Sequence, residues 1–109
     1  MSIYHLAEPE HWAAVSSGGS CTRSTRGRTL EQEGFVHCST DEQWPVVRRK
    51  FYADVDGPLV LLEIDESRLP QAPVWEVGDP ATGERFPHLY HPLPAGAVVA
   101  ATELASPHG

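Results

Sequence analysis

The spacing of apolar residues predicts a strand, a helix and a loop in the first 29 residues. Residues 3–6 are β-branched, aromatic and apolar around one histidine, which is typical of a short strand. Pro9 suits the first turn of a helix, Trp12 lies on its apolar side, and the glycine pair at 18–19 predicts its end. Residues 20–29 contain no large apolar side chain, so they predict an exposed loop.

The next stretch predicts a second strand and a second helix. Residues 35–39 alternate between two faces of a strand. The side chains expected on one face are Phe35, His37 and Ser39. Residues 40–43 have the spacing of a capping box, and the apolar residues after them recur at helical intervals. Because a proline interior to a helix loses a backbone hydrogen bond, we place the start of this helix at Pro45.

The second half of the chain predicts mainly strands. Residues 59–64 are almost continuously apolar, which favours a central strand covered on both faces. Shorter strands are predicted at 74–77, 86–90 and 97–104. This order predicts one α+β domain over residues 1–105, in which two helices pack on a mainly antiparallel sheet. Residues 106–109 are expected to form a flexible tail.

Composition places the chain among ordinary globular proteins. Its 109 residues are 40% hydrophobic and 21% charged, which suits one domain and excludes a disordered or collagen-like chain. No apolar run approaches the length of a membrane span, and the first residues do not resemble a signal peptide. We therefore expect a cytoplasmic protein that does not contact the membrane. The oligomeric state and the pathway remain open.

The charge distribution favours a small anionic partner. The net charge of −7 disfavours general binding to nucleic acid. Residues 21–50, however, hold six of the eight basic residues and only four of the fifteen acidic ones. Arg23, Arg26 and Arg28 lie together in the predicted loop, and guanidinium groups suit bidentate phosphate contacts. The alternative is a solvated basic loop on an acidic surface.

Histidines are the main candidates for chemistry. His5, His37 and His88 lie on predicted strands, where they could line a common hollow as general acids or bases. The alternative is that each is half-buried with a backbone partner. These three could also form a metal site, although zinc sites usually have short local spacings, so we expect no metal. We read His108 as a tail residue and Cys38 as a buried thiol.

Several strings resemble a known family. Residues 33–40 read Glu-Gly-Phe-Val-His-Cys-Ser-Thr, and residues 86–90 read Phe-Pro-His-Leu-Tyr. Together with residues 3–6 and 61–65, these strings resemble a bacterial domain-of-unknown-function family, number 952, over almost the whole chain. The family has no established activity. It is in turn similar to the ADP-ribosyltransferase superfamily, whose split β-sheet holds NAD in a central cleft.

The resemblance implies a cleft that binds NAD as a ligand or co-substrate. In the superfamily, a residue on the first strand binds the ribose or adenosine part of NAD, and His5 takes this position. A second motif supports the nicotinamide ribose and ring. The residues implied to bind NAD are His5, Phe35, Ser39 and Thr40. The basic loop described above would add phosphate contacts from Arg23, Arg26 and Arg28.

The resemblance also implies residues that act in catalysis at the nicotinamide end of NAD. The superfamily often places a glutamate on a late strand, where it stabilises the oxocarbenium-like centre formed as nicotinamide leaves. In this sequence His88 and Tyr90 occupy that motif, and Glu76 is the nearest carboxylate. The residues implied in catalysis of ADP-ribosyl transfer or NAD hydrolysis are His37, Glu76, His88 and Tyr90. His91 departs from the small residue that is common after the tyrosine.

Two other functions fit the same residues. One is a hydrolase based on histidines or assisted by a metal, which would use His5, His37 and His88. The other is a noncatalytic accessory module that kept the cleft and lost the reaction. This module would bind a nucleotide-like ligand without turnover.

Overall fold

A computed structural model of the chain describes residues 2–16, 20–21, 23–25 and 28–109. The strands within these residues are β1 (Ser2–Ala7), β2 (Ser20–Cys21), β3 (Arg23–Thr25), β4 (Arg28–Thr29), β5 (Val36–His37), β6 (Leu59–Asp65), β7 (Val74–Asp79), β8 (Glu84–Leu89), β9 (Leu93–Pro94) and β10 (Val98–Leu104). The helices are α1 (Pro9–Ser16), α2 (Leu30–Glu33) and α3 (Trp44–Phe51). Short 3-10 turns cover Glu66–Arg68 and Ala95–Ala97.

Two three-stranded antiparallel sheets form the framework. The first has the order β1-β6-β10, and the second has the order β5-β8-β7. Tyr4 on β1 and Ser39, two residues beyond β5, join the sheets by exchanging two backbone hydrogen bonds of 2.7 Å. The predicted α+β domain with antiparallel sheets is therefore confirmed.

Strand β6 is central because its side chains are apolar on both faces. Val60, Leu62 and Ile64 belong to the larger core cluster, which also contains residues of β1, β5 and β8. Leu59 and Leu61 belong to a second cluster with Tyr52, against which α3 packs. Burying both faces explains the continuous apolar run, and the predicted central strand is confirmed.

The predicted capping-box bonds form in the turn at 40–43 that leads into α3. The Thr40 N–H donates to Gln43 Oε1 at 3.0 Å, and the Gln43 N–H donates to Thr40 Oγ1 at 3.2 Å. The helix starts at Trp44, one residue before the predicted start, with Pro45 in its first turn, where a missing N–H costs nothing. The Gln43 amide also donates to the Arg85 carbonyl oxygen at 2.7 Å, which ties the start of α3 to β8.

The loop predicted over residues 20–29 is wrong in part. The structure has β2, β3 and β4 in this stretch; β3 pairs with β4 as a hairpin, and β2 pairs with β9. Backbone pairing of short polar strands leaves no apolar period in the sequence, so the pattern could not reveal them. Helix α2 was not predicted either, and the predicted strand at 35–39 shortens to β5. The glycines at 18–19 lie outside the described residues.

The expected tail at 106–109 needs correction at His108. This side chain is 2% exposed. Its Nδ1 accepts from Arg48 Nε at 2.9 Å, and its Nε2–H donates to the Gly57 carbonyl oxygen at 2.8 Å. The terminal residues carry too few apolar side chains to signal this docking, because it depends on polar bonds. Within the described residues, no helix has the length and apolar character needed to cross a bilayer.

Candidate functional site

The second sheet carries a polar and aromatic cluster on its outer face. Val36 and Leu89 are paired across β5 and β8 and are buried in the core. The next pair, His37 and His88, points to the opposite face because side chains alternate along a strand. Glu76 reaches this face from β7, so three strands contribute to one cluster.

Glu76 is held by two hydrogen-bond donors. Its Oε1 accepts from His88 Nδ1–H at 2.8 Å and from the hydroxyl of Tyr90. The bonds from Tyr90 and from His88 lower the pKa of Glu76 below its ordinary 4.5. The Glu76 carboxylate in turn raises the pKa of Tyr90 above 10. At neutral pH the pair is therefore an ionised carboxylate and a protonated phenol.

Phe35 covers this arrangement. Its ring stacks on His88 with centroids 4.0 Å apart and planes 16° apart, and His37 meets the Phe35 ring edge-on at 4.7 Å. The centroid of the Tyr90 ring lies 5.7 Å from that of the Phe35 ring. The chain reaches Phe35 from α2 through Gly34, whose φ of +90° favours glycine. His88 is consequently 4% exposed, and its Nε2 is buried without a hydrogen-bond partner.

His37 is a neutral imidazole beside a carboxylate. Its ring centroid lies 5.3 Å from that of His88, and its Nε2 lies 3.7 Å from Glu33 Oε1. Burial lowers the pKa of His37 below 6.5, and His88 lowers it further, whereas Glu33 acts in the opposite direction. At pH 7 this imidazole can accept a proton, and Glu33 can stabilise the resulting cation.

Two adjoining hollows lie between this sheet and α3. The first, which we call the histidine hollow, has a volume of about 280 Å³, and its walls include Glu33, His37, Cys38 and Ser39. The second, the lysine hollow, has about 300 Å³, and its walls include Gln43, Val46, Lys50 and Glu84. The walls common to both are Val47, Phe51, Gly78 and Phe86.

Gly78 leaves space for the Phe86 ring in the wall that the two hollows share. A Cβ at this position would overlap the ring of Phe86, so the aromatic ring packs directly on glycine backbone. Cross-strand contact between an aromatic ring and a bare backbone needs glycine, because any other residue would displace the ring. The position of Phe86 in both hollows therefore depends on Gly78.

His5 lies beside the cluster and faces the core. It lies on the same face of β1 as Ile3 and Ala7, which belong to the larger core cluster. Its Nδ1–H donates to the His37 carbonyl oxygen at 2.6 Å, and its Nε2 is buried without a partner. Burial lowers the pKa of His5 from 6.5 to about 4. Of the three predicted histidines, the structure places His37 and His88 together on the outer face, and His5 supports the backbone of His37.

The remaining predicted ligand contacts are distributed unevenly. Ser39 is buried in a wall of the histidine hollow, whereas the Thr40 hydroxyl accepts from the Gln43 N–H in the turn before α3. Strand β3 lies against β5, the strand that carries His37, and against β1. Arg26 and the side chains of Arg23 and Arg28 lie outside the described part of the chain. Their phosphate contacts stay a prediction.

The structure does not bring the ligand atoms of the three predicted histidines into one close group. Within the described residues, the one group of three or more potential ligand side chains whose atoms approach within 4.8 Å is Glu8, Glu10 and His11, on and next to α1. His5 points to the core while His37 and His88 face outward, which explains why they do not converge on one ion.

Some site residues had no sequence signal. Phe51, Gly78 and Phe86 were not predicted to share a wall, because their contacts cross from α3 to the β7–β8 pair. Glu33 was visible only as part of the family string. Gln43 was visible as a cap, but its bond to β8 was not.

These features define a small α+β domain of antiparallel sheets with a polar and aromatic cluster on an outer sheet face. The chain belongs to a family of proteins of unknown function, DUF952, whose sequence profile matches residues 6–101. The predicted family is therefore confirmed, and the likeness to ADP-ribosyltransferases stays a prediction.

Solved structures of protein CC0527 from Caulobacter crescentus are similar to this chain. The crystal structure is 27% identical, with 95% of this chain and 86% of that chain covered and a TM-score of 0.76. The solution NMR structure is 30% identical, with 95% and 84% covered and a TM-score of 0.74. No curated protein matches the sequence.

Proposed function

We propose that this domain binds NAD, or a related nucleotide, along the outer face of the second sheet. The observation that carries the proposal is the ionised Glu76 carboxylate, fixed by His88 and Tyr90 on a face that also has aromatic rings. A fixed negative charge beside aromatic surface suits a cationic heterocycle joined to a sugar. The nicotinamide riboside end of NAD has both features.

The aromatic residues supply the stacking surface. Tyr90 is 47% exposed, and Phe35 is partly exposed where it covers His88. Nicotinamide stacks on these rings, which brings its glycosidic bond near Glu76. The His37 side chain, on the same face, contacts the ribose. We expect the phosphates to be contacted by Arg23, Arg26 and Arg28, as the sequence predicts.

The cluster can support cleavage of the glycosidic bond by water. The bond electrons pass to the pyridinium nitrogen, so nicotinamide leaves neutral and positive charge develops on the ribose. Glu76 stabilises that charge by electrostatic attraction. Water then attacks the anomeric carbon, and its proton passes to His37, which Glu33 stabilises as a cation. With an acceptor hydroxyl in place of water, the same steps transfer ADP-ribose.

A noncatalytic binding module is the second candidate. The observation that supports it is that Glu76 already accepts two hydrogen bonds. These bonds reduce the negative charge with which Glu76 could stabilise a developing cation, so binding without catalysis is favoured. This candidate predicts NAD binding with no release of nicotinamide. A histidine-based or metal-assisted hydrolase that uses His5, His37 and His88 stays an alternative prediction.

Calorimetric titration with NAD tests the proposal. We expect saturable heat with the unaltered protein and weaker binding with Glu76→Gln, which loses the charge but keeps the shape. Glu103→Gln on β10 is the matched control, because it is exposed on the other sheet. Nicotinamide release, measured by chromatography, separates the enzyme from the binding module. No heat at millimolar NAD would overturn both.

A further inference from the structure

Strand β8 presents a line of side chains that is longer than the proposed nicotinamide site. Glu84, Phe86 and His88 on β8 and Tyr90, one residue beyond it, are spaced by two residues, so they follow one face. Six residues of strand span about 20 Å. Phe86 contributes to both hollows, and Glu84 contributes to the lysine hollow. The face that carries Glu76 and Tyr90 therefore continues into a second cavity.

We propose that the lysine hollow is the subsite for an aminopurine base at the far end of the nucleotide. The inference rests on the proposed function and adds to it the second half of a dinucleotide. In this arrangement nicotinamide lies at Tyr90, the phosphates lie near His37, and the base lies between Lys50 and Glu84. A ligand of two nucleosides joined by a pyrophosphate is long enough to span this line.

The shape of the hollow suits a flat ring. Its volume of about 300 Å³ lies at the lower end of the range for small-molecule sites. Phe51, on its wall, is 61% exposed, which is high for a large aromatic side chain. A base that stacks on Phe51 buries this surface, and base–aromatic stacking contributes substantially to nucleotide binding.

The charges of the hollow favour a neutral base over a phosphate. Lys50 and Glu84 offset each other, so the cavity has little attraction for a dianion. Their chemistry differs in a useful way, because an ammonium group only donates hydrogen bonds and a carboxylate accepts them. An aminopurine matches both, since its ring nitrogens accept and its exocyclic amino group donates.

The walls of the hollow are fixed before any ligand binds. Gln43 connects α3 to β8 by donating to the Arg85 carbonyl oxygen at 2.7 Å and to Glu84 Oε2 at 3.2 Å. Phe86 is fixed on the opposite wall by its packing on Gly78. A preformed cavity costs little conformational entropy on binding, which favours specific recognition.

Titration with three ligands tests the inference. NAD is compared with nicotinamide mononucleotide, which lacks the purine half, and with the hypoxanthine analogue of NAD, which lacks the amino group. We expect Phe51→Ala to weaken NAD binding about tenfold more than it weakens the binding of nicotinamide mononucleotide. Phe51→Leu, which keeps apolar bulk without a π face, should show most of this loss.

The amino group has its own test. The unaltered protein should prefer NAD to the hypoxanthine analogue by about tenfold, and Glu84→Ala should remove this preference. Arg49→Ala, which is exposed on α3 outside both hollows, is the control. Equal affinity for NAD and nicotinamide mononucleotide would overturn the aminopurine subsite and leave the proposed function intact. No binding of any of the three ligands would overturn the proposed function as well.

Discussion

Glu76 and His88 lie across the β7–β8 pair with Oε1 and Nδ1 2.8 Å apart, although the residues are twelve positions apart in sequence. The bond places the proton of the His88 ring on Nδ1, because the carboxylate accepts. The same oxygen also accepts from Tyr90, so one carboxylate orients two side chains of the candidate site.

This geometry predicts a specific tautomer of His88. Nitrogen NMR at pH 7 should show the proton of His88 on Nδ1, and Glu76→Gln should shift this population toward Nε2. The pKa of Glu76 is lowered in the folded protein. The contribution of Glu76 to the free energy of unfolding is therefore complete above about pH 4.5 and is lost as the pH falls below that value. An unchanged tautomer ratio in Glu76→Gln would contradict the orienting role.

His5 predicts a loss of stability in mild acid. Its pKa falls from 6.5 to about 4 in the folded protein, so the unfolded chain binds a proton more readily as pH drops from 6.5 to 4. The contribution of His5 is intact above pH 6.5, and its loss reaches about 3 kcal/mol near pH 4. His5→Asn retains a donor for the His37 carbonyl oxygen and should reduce the fall of the unfolding free energy between pH 6.5 and 4. Urea unfolding at pH 7, 5.5 and 4.5 measures this free energy. The same decrease with pH in both proteins would count against the assignment.

Gln43 predicts a coupling between α3 and the second sheet. Gln43→Ala removes the acceptor for the Thr40 N–H and the donors to β8, and should destabilise the fold by about 1 to 2 kcal/mol. The exposed Gln71→Ala is the control and should change the free energy of unfolding very little. Equal effects of the two substitutions in urea unfolding would show that the bridge is unimportant.

Gly78 predicts a steric penalty that acts through Phe86. Gly78→Ala should cost about 1 to 3 kcal/mol, because the added methyl group overlaps the Phe86 ring. Gly96→Ala is a matched control with no atom within 4 Å of the new Cβ. Urea unfolding compares the two variants. If Phe86→Leu restored no stability to Gly78→Ala, the proposed contact would be wrong.

His108 predicts that the last residues stabilise the domain. His108→Ala removes the acceptor for Arg48 Nε and the donor to the Gly57 carbonyl oxygen, and should cost about 2 kcal/mol. Ser106→Ala, at an exposed neighbour, is the control. Thermal unfolding should show a lower midpoint for His108→Ala, and a midpoint equal to that of Ser106→Ala would support the flexible tail.

The elements that could be predicted from sequence are those with an apolar period or a local cap. Strand β6 was visible from its apolar run, and α3 was visible from Thr40, Gln43 and the residues that follow. The β3–β4 hairpin was not visible, because its pairing uses backbone groups of polar residues.

The candidate site was predictable as a set of residues and not as an arrangement. His37, His88, Tyr90 and Glu76 were named from sequence, and the structure brings their side chains onto one face. That Glu76 bonds to His88 follows from the β7–β8 register, which no local pattern encodes. The opposite orientation of His5 depends likewise on which face of β1 meets the core.

The paired backbone amides of Tyr4 and Ser39 restrict the separation of the two sheets. The N–H of each residue donates to the carbonyl oxygen of the other residue. These two bonds connect β1, at the edge of the first sheet, to the segment that carries His37. Widening the gap between the sheets at this point therefore breaks both bonds. We expect slow hydrogen exchange at these two amides.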